Sequence, residues 1–524
     1  MNVLSKAARR PALALTFLSG TTFLGATLFN LADPTPASAD QQFLKHGSLV
    51  VSSSIYDNTQ GPVATLKVGT PLANTDTATT PAIVGNNYVN VWNNASVDAS
   101  FGVTSVIQLT DIDLSNGKVF RSMQVPADQV VTSFSSKSEL GLHVLNNWPK
   151  VGIAFVGYAG AGVGNIDVSN SDAVAGQDPT NPVTFAFGKS FAFRRTIVSV
   201  DEKANITYTP TNDYGGNNGR SALLGSNGLY YMVGNANNGN AATFGSNTNG
   251  TNPDVTETTG LIVVNPINSS VVNPTISSAL SAEVDPLLEF QLGKPAKGST
   301  VPTFDKPGKD NNYRGLAEFG GALFFTKGSG SNGMDTVYTV NAPNALPTVN
   351  NAASSTISVV PGFPTDSARA TGGDFTPFAV FFANPTTMYV TDEGSGDTTD
   401  TSEHAGLEKW ILSGGTWQLQ YVLTKGLVGV VDSNVTGSDG PWPAITTVGL
   451  RNLTGRINGD GTVTLWATTS TSSASGDNGA DPNKVVEITD RIAATQLSQV
   501  GNESFTTIAG PVYRTVFRGV GFVE

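Results

Sequence analysis

The chain has 524 residues, a formal net charge of −12 and no cysteine. Thiol catalysis, cysteine-bound zinc and disulfide staples are excluded, and so acidic a chain is a poor partner for nucleic acid. Only 13% of residues are charged, while Gly (57) and Pro (28) are abundant, which favours short strands and many turns over helices.

Residues 1–39 read as a secretion signal. Lys6, Arg9 and Arg10 form a positive n-region, residues 12–29 an apolar run broken by small polar residues, and Ala37-Ser38-Ala39 a cleavage site. The mature chain, residues 40–524, then carries 26 basic and 40 acidic residues, a net charge of −14. It is expected to be secreted, extracellular or periplasmic, with no transmembrane anchor left once the signal is removed.

Strands are predicted at 49–55, 103–109 and 119–125, the last two joined by a turn at Ser115-Asn116-Gly117. This first unit is one strand short of a four-stranded blade. A second unit starts at 137–142 and continues through 151–158, 195–200 and 206–209. A third starts at Asn217-Asn218-Gly219-Arg220, with strands at 229–234 and 261–264. Its fourth strand is expected at 288–292, after a short helix near 277–282. Residues 235–259 are nearly low complexity and read as a mobile loop.

The fourth unit has strands at 313–319, 322–326, 336–340 and 356–360. The fifth has them at 378–382, 387–391, 407–412 and 417–423. The sixth has them at 448–453, 462–467, 484–488 and 505–508, with a hairpin turn at Asn458-Gly459-Asp460-Gly461. A lone strand at 516–522 ends the chain. Tyr313-Arg314-Gly315-Leu316 returns there as Phe517-Arg518-Gly519-Val520, with looser copies at Gly219-Arg220-Ser221 and Leu450-Arg451-Asn452. The expected fold is an all-β single-domain β-propeller of six blades, the C-terminal strand completing the first blade. Seven blades result if the inserts at 159–190 and 265–312 hide strands, and two stacked sandwiches are the competing architecture.

The phrases Ser136-Lys137-Ser138-Glu139-Leu140, Asp167-Val168-Ser169-Asn170-Ser171, Tyr214-Gly215-Gly216-Asn217-Asn218-Gly219-Arg220 and Gly449-Leu450-Arg451-Asn452-Leu453-Thr454-Gly455-Arg456 resemble those of an uncharacterised family of secreted propeller-like proteins of bacteria and fungi. The resemblance covers most of the mature chain. It implies the fold and export, and no activity.

In a propeller the inner strands all start at one face, so a residue type repeated there rings one channel mouth. Arg220, Arg314, Arg451 and Arg518 hold those positions, with Lys137 and Asn217 close by and Phe375-Thr376-Pro377 departing in the fifth unit. Guanidinium forks suit carboxylate, sulfate or phosphate, so the ring is a candidate site for an anionic extracellular ligand, a carbohydrate or a phosphorylated molecule. A scaffold role is the alternative, with each arginine bonded to loop carbonyls or to an acid such as Glu139 or Glu318.

The long loops 56–102, 159–192, 235–259, 392–405 and 468–482 are expected over the same face. The fifth-unit loop carries Asp392, Glu393, Asp397, Asp400, Glu403 and His404. Asp392, Glu393 and His404 are candidate catalytic groups for a hydrolase or lyase, and the acids offer oxygen ligands for Ca2+, although the spacing fits no EF-hand. A non-catalytic surface or matrix adhesion protein and a calcium-dependent phosphoesterase are the competing functions. His143 lies inside an inner strand, and oligomeric state is left open.

Overall fold

The computed structural model describes residues 42–65, 102–134, 136–147, 150–165, 168–170, 193–211, 213–214, 218–235, 260–272, 274, 281–284, 292–293, 303–304, 312–329, 334–341, 346–367, 375–396, 404–438, 440–475 and 479–524. The signal segment, Asn217 and the acids Asp397, Asp400 and Glu403 lie outside them, as do most of the long loops.

Within the described residues the chain is all-β. Strands β1 (Ser48–Ile55), β2 (Thr104–Asp113), β3 (Lys118–Gln124), β4 (Val130–Ser133), β5 (His143–Asn147), β6 (Lys150–Ala159), β7 (Arg195–Asp201) and β8 (Ile206–Thr211) join one nine-stranded sheet. Its ninth strand comes from the far end of the chain. A second sheet runs β9 (Gly219–Leu224), β10 (Tyr230–Gly234), β11 (Ile262–Val264) and β12 (Ser281–Glu283). A two-residue pair follows, β13 (Leu292–Gly293) with β14 (Thr303–Phe304).

The next sheet holds β15 (Tyr313–Phe319), β16 (Ala322–Lys327), β17 (Met334–Asn341) and β18 (Thr356–Val359), with β19 (Asp366–Ser367) on β17. Then come β20 (Pro377–Asn384), β21 (Thr387–Asp392), β22 (Gly406–Ser413) and β23 (Thr416–Leu423). Short strands β24 (Val431–Asp432), β25 (Thr436–Gly437) and β26 (Gly440–Pro441) precede the last sheet. That sheet is built from β27 (Ile445–Ile457), β28 (Thr462–Ser473), β29 (Val485–Arg491) and β30 (Thr506–Ala509), with β24 on the outer side of β27. Finally β31 (Thr515–Val523) pairs antiparallel with β1.

Four of these sheets, those starting at β9, β15, β20 and β27, are antiparallel meanders arranged as propeller-like blades. Their alternating apolar residues pack face to face. Leu223 and Tyr231 meet Tyr313 and Phe325, Val337 meets Phe382 and Val390, and Tyr389 and Leu407 meet Leu450 and Leu465. Burial of these faces is the main stabilising term.

The first strands carry a repeated irregularity. Pairing of β15 with β16 slips between Tyr313 and Leu316, of β27 with β28 between Leu450 and Leu453, and of β31 with β1 between Phe517 and Val520. Each slip is a β-bulge, and each holds an arginine: Arg314, Arg451 or Arg518. Pairing of β9 with β10 slips likewise at Arg220. Bulges re-aim side chains, which is why the arginines leave the regular in–out alternation.

A hydroxyl on the second strand fills each of three gaps and reaches a carbonyl on, or just before, the neighbouring first strand. The Thr326 Oγ1 accepts from Gly315 N at 3.0 Å and donates to Phe378 O at 2.6 Å. Thr468 Oγ1 accepts from Asn452 N at 3.2 Å and donates to Arg518 O at 3.1 Å. Ser52 Oγ accepts from Gly519 N at 2.8 Å and donates to Leu140 O at 2.9 Å. In the β20 sheet, whose bulge residue is Phe378, Thr391 Oγ1 accepts from Ala379 N at 3.0 Å and donates to Arg451 O at 2.5 Å. The glycine after two of the arginines follows from the same approach. A Cβ on Gly315 would sit 2.2 Å from Phe378 O, and one on Gly519 would sit 2.4 Å from Leu140 O.

Two expected elements are corrected. The strand placed at 137–142 begins instead at His143, because Leu140 has φ 58° and breaks the extended run. The fourth strand of the β9 sheet is Ser281–Glu283, where a short helix was expected.

Candidate ligand-binding site

The four bulges deliver their guanidinium groups to one end of the first strands. Arg314, Arg451 and Arg518 are each at most 2% exposed and Arg220 is 7% exposed, so none lies open to solvent. Arg220 Nε donates to Asn218 Oδ1 at 2.8 Å and Nη1 to Tyr313 O at 3.3 Å, the latter on the next sheet. Arg518 donates to Phe134 O and, at 3.1 Å, to Ser54 Oγ.

Arg314 and Arg451 instead converge on Glu393, the second residue past the Thr391 hydroxyl link. Arg314 donates to Glu393 Oε1 and to Ser329 Oγ. Arg451 Nε lies 3.6 Å from Glu393 Oε2, and Lys137 Nζ reaches Oε1 at 3.0 Å. Four separate stretches of chain, from 137, 314, 393 and 451, thus meet at one carboxylate. Burial alone would raise the Glu393 pKa. The charges of Arg314, Lys137 and Arg451 outweigh it and hold the group well below the usual carboxylate range.

Three cations therefore lie against Glu393, while Asp335, itself paired with Lys327, acts on Arg314 through its charge. Asp481 also acts on Arg451 through its charge, but its Oδ1 is taken by Trp442 Nε1 at 3.1 Å, Ser473 at 2.7 Å and Ser475 at 2.6 Å. Lys137 is the accessible member, 38% exposed.

The expected catalytic groups lie beside this cluster, each already engaged. Asp392 is fully buried; it accepts from Thr376 N at 2.5 Å, Thr376 Oγ1 at 2.6 Å and Gly394 N at 2.8 Å. Burial raises its pKa to about 6 despite these donors. His404 Nδ1 pairs with Glu408, whose other oxygen accepts from Trp410 Nε1 at 2.7 Å. Burial lifts Glu408 to about 7, with His404 opposing and the charge of Asp392 adding to the shift. Sequence reasoning missed Glu408 because it reads as an ordinary outward residue of a strand.

Neither acid proposed as a scaffold partner serves the arginines by a direct bond. Glu139 accepts from Thr132 Oγ1 at 2.6 Å, Ser133 N at 2.8 Å and Tyr158 OH at 2.5 Å, with Arg518 acting only through its charge. Glu318 accepts from Ser226 N at 2.9 Å. Asp460 closes its own hairpin, accepting from Thr462 N and Oγ1 at 3.1 and 2.7 Å. Among the described residues no three of His, Cys, Asp or Glu are grouped to hold a metal ion.

No protein-family model and no curated protein matches the chain. Several solved structures share some of its architecture at very low sequence identity. A glucose dehydrogenase is 13% identical, with a TM-score of 0.29, covering 69% of this chain and 89% of that one. An S. cerevisiae complex of Dbp5 with Nup159 and Gle1 is 8% identical, with a TM-score of 0.29, covering 86% and 83%. An ulvan lyase, of a polysaccharide lyase family, is 10% identical, with a TM-score of 0.27, covering 86% and 95%.

Proposed function

We propose that the chain is a secreted six-bladed propeller that binds an anionic extracellular ligand, a carbohydrate or a phosphorylated molecule, over Lys137. The blade count and the closure are supported by contacts among first strands. β31 meets β5, β5 meets β9, β9 meets β15, β15 meets β20, β20 meets β27 and β27 meets β31. On this reading the nine-stranded sheet is two blades, and β31 supplies the inner strand that the first one lacks. Export is supported by the basic, apolar and small-residue pattern of residues 1–39.

The observation that carries the ligand reading is the charge imbalance at Glu393. Lys137, Arg314, Arg451 and Lys327 face the three acids Glu393, Asp335 and Asp481, an excess of one positive charge in a chain whose net charge is −12. Such a local field attracts an anion, most strongly at low ionic strength. With Asp392, Glu393 and His404 all engaged, the reading is one of binding rather than turnover.

Calorimetry of residues 40–524 against uronate oligosaccharides, sulfated sugars and inositol hexakisphosphate tests it. One class is expected to bind with a salt-sensitive affinity. Lys137→Ala is expected to weaken that binding while the melting temperature holds. Binding by no class, or binding unaffected by Lys137→Ala, overturns it.

A second reading has its own observation. Arg220 and Arg518 spend their donors on backbone and side-chain oxygens, which favours a non-catalytic surface or matrix protein with a purely structural ring. Calcium dependence rests on the 392–405 loop, whose acids Asp397, Asp400 and Glu403 lie outside the described residues. A chelator-insensitive fold and ligand affinity would remove it.

A further inference from the structure

Beyond the arginines, along the same first strands, lies a cavity of about 500 Å³. It is lined by residues of β5, β9, β15, β20, β27 and β31 that follow the bulges. Its size falls within the range of small-molecule sites. We propose that this cavity is a second ligand site, distinct from the Lys137 mouth, and that it takes a neutral small molecule with an aromatic ring and a polar substituent that hydrogen-bonds to His143.

Its exposed lining is more polar than apolar, and its phenylalanines argue for a ring in the ligand. Phe319, Phe381 and Phe522 line it together with leucines from neighbouring strands, and Phe319 and Phe381 are only partly buried by the protein itself. Among the described residues no lysine or arginine lines it, and the charged residues that do are Glu318 and Glu524. An anion entering would lose hydration without gaining a counter-charge. Both Glu318 oxygens already accept from Ser226, N at 2.9 Å and Oγ at 2.5 Å, so neither is offered bare to a ligand.

The polar anchor is one pair. His143 Nε2 lies 2.8 Å from Ser221 Oγ, across two adjacent first strands that also form a parallel bridge at Gly141 and Ser221. The bond occupies Nε2 and leaves Nδ1 to meet a ligand. Burial lowers the His143 pKa to about 4, so the ring is neutral and suits a neutral partner. The pair is an anchor rather than a nucleophile and base. No acid orients the imidazole among the described residues, and Ser221 Oγ is wedged where a Cβ on Gly141 would come within 2.7 Å.

Titration of the protein with 2-naphthol and with 2-naphthoate, two probes of equal shape and different charge, tests the proposal. Saturable 1:1 binding of 2-naphthol is expected, with 2-naphthoate at least about tenfold weaker. His143→Phe, which keeps a ring but removes the hydrogen bond, should weaken 2-naphthol by about tenfold. Ala317→Trp should fill the cavity and abolish binding, while Lys137→Ala should leave it unchanged. Crystals soaked in 6-bromo-2-naphthol locate the probe without any variant. Non-saturable binding, full affinity in a folded Ala317→Trp variant, or bromine density outside the cavity each overturns the proposal.

Discussion

Glu393 and Lys137 touch at 3.0 Å, yet removing one or the other should have very different consequences. Glu393→Ala leaves Arg314 and Arg451 buried without their counter-ion, and breaking a buried pair in this way costs about 3–5 kcal/mol. Lys137→Ala removes a partly exposed cation and should cost less than about 1 kcal/mol. Chemical denaturation of both variants checks the contrast, and equal losses would show that the cluster is not organised around Glu393. Glu408 bears on pH dependence. Its native pKa, raised to about 7, exceeds the ordinary carboxylate value, so the native state holds a proton that the unfolded chain releases. Stability from this group falls as pH rises from about 4.5 to 7 and is constant above. Glu408→Gln should flatten that decline, and an unchanged pH profile would exclude Glu408 as its source. The arginines themselves were legible in the sequence because they repeat. Their acid was not: Glu393 lies 79 residues from Arg314 and 256 from Lys137, and in sequence it is one of several carboxylates in an acidic loop.

At the scale of elements, the repeat proves to be a backbone device as much as a charge pattern. Arg-Gly marks a bulge, the glycine admits the neighbouring carbonyl, and a hydroxyl from the second strand bonds both sides of the gap. Thr326→Val keeps the shape but strands Gly315 N and Phe378 O, two buried groups, at a cost of about 1–3 kcal/mol each. Thr391→Val and Thr468→Val should behave alike, whereas Thr462→Val on an exposed hairpin should change stability by less than about 0.5 kcal/mol. Thermal melts of the four variants check this; a uniform response would mean that the hydroxyl links add nothing special. The strands of the β15 and β20 sheets were legible because period-two apolar patterns alternate with Gly and Asn turns. The register of the bulges was not, since it depends on the next sheet. Nor was β12, because Ser281-Ala282-Glu283 carries no strand signal and is recruited only by pairing with Val264, Val263 and Ile262.

Over the whole molecule, the hydroxyl links form a chain with a direction. They run from the β15 sheet to the β20 sheet, then to the β27 sheet, to β31, and from β1 to Leu140. Gly141 N continues to Arg220 O at 2.9 Å, and Arg220 to Tyr313 O, which returns to the β15 sheet. If the blades close as proposed, no sheet is independent of the others, and β31, whose Gly519 meets Ser52 across 467 residues of sequence, is the joint. Ending the chain after Pro511 would expose the paired edge of β1 and strand the donors of Thr468 and Asn483, which bond Arg518 O and Phe517 O. The truncated protein should lose its single cooperative transition and aggregate through the opened edge. A peptide spanning residues 512–524 added in trans should restore the full chain's elution position, because donated main-chain pairing supplies what was removed. Size-exclusion chromatography and calorimetry of the truncated chain, with and without the peptide, decide the matter. A truncated chain that elutes like the full chain and melts in one transition within a few degrees of it would show that the blades stand without the joint, and the closed ring would have to be abandoned.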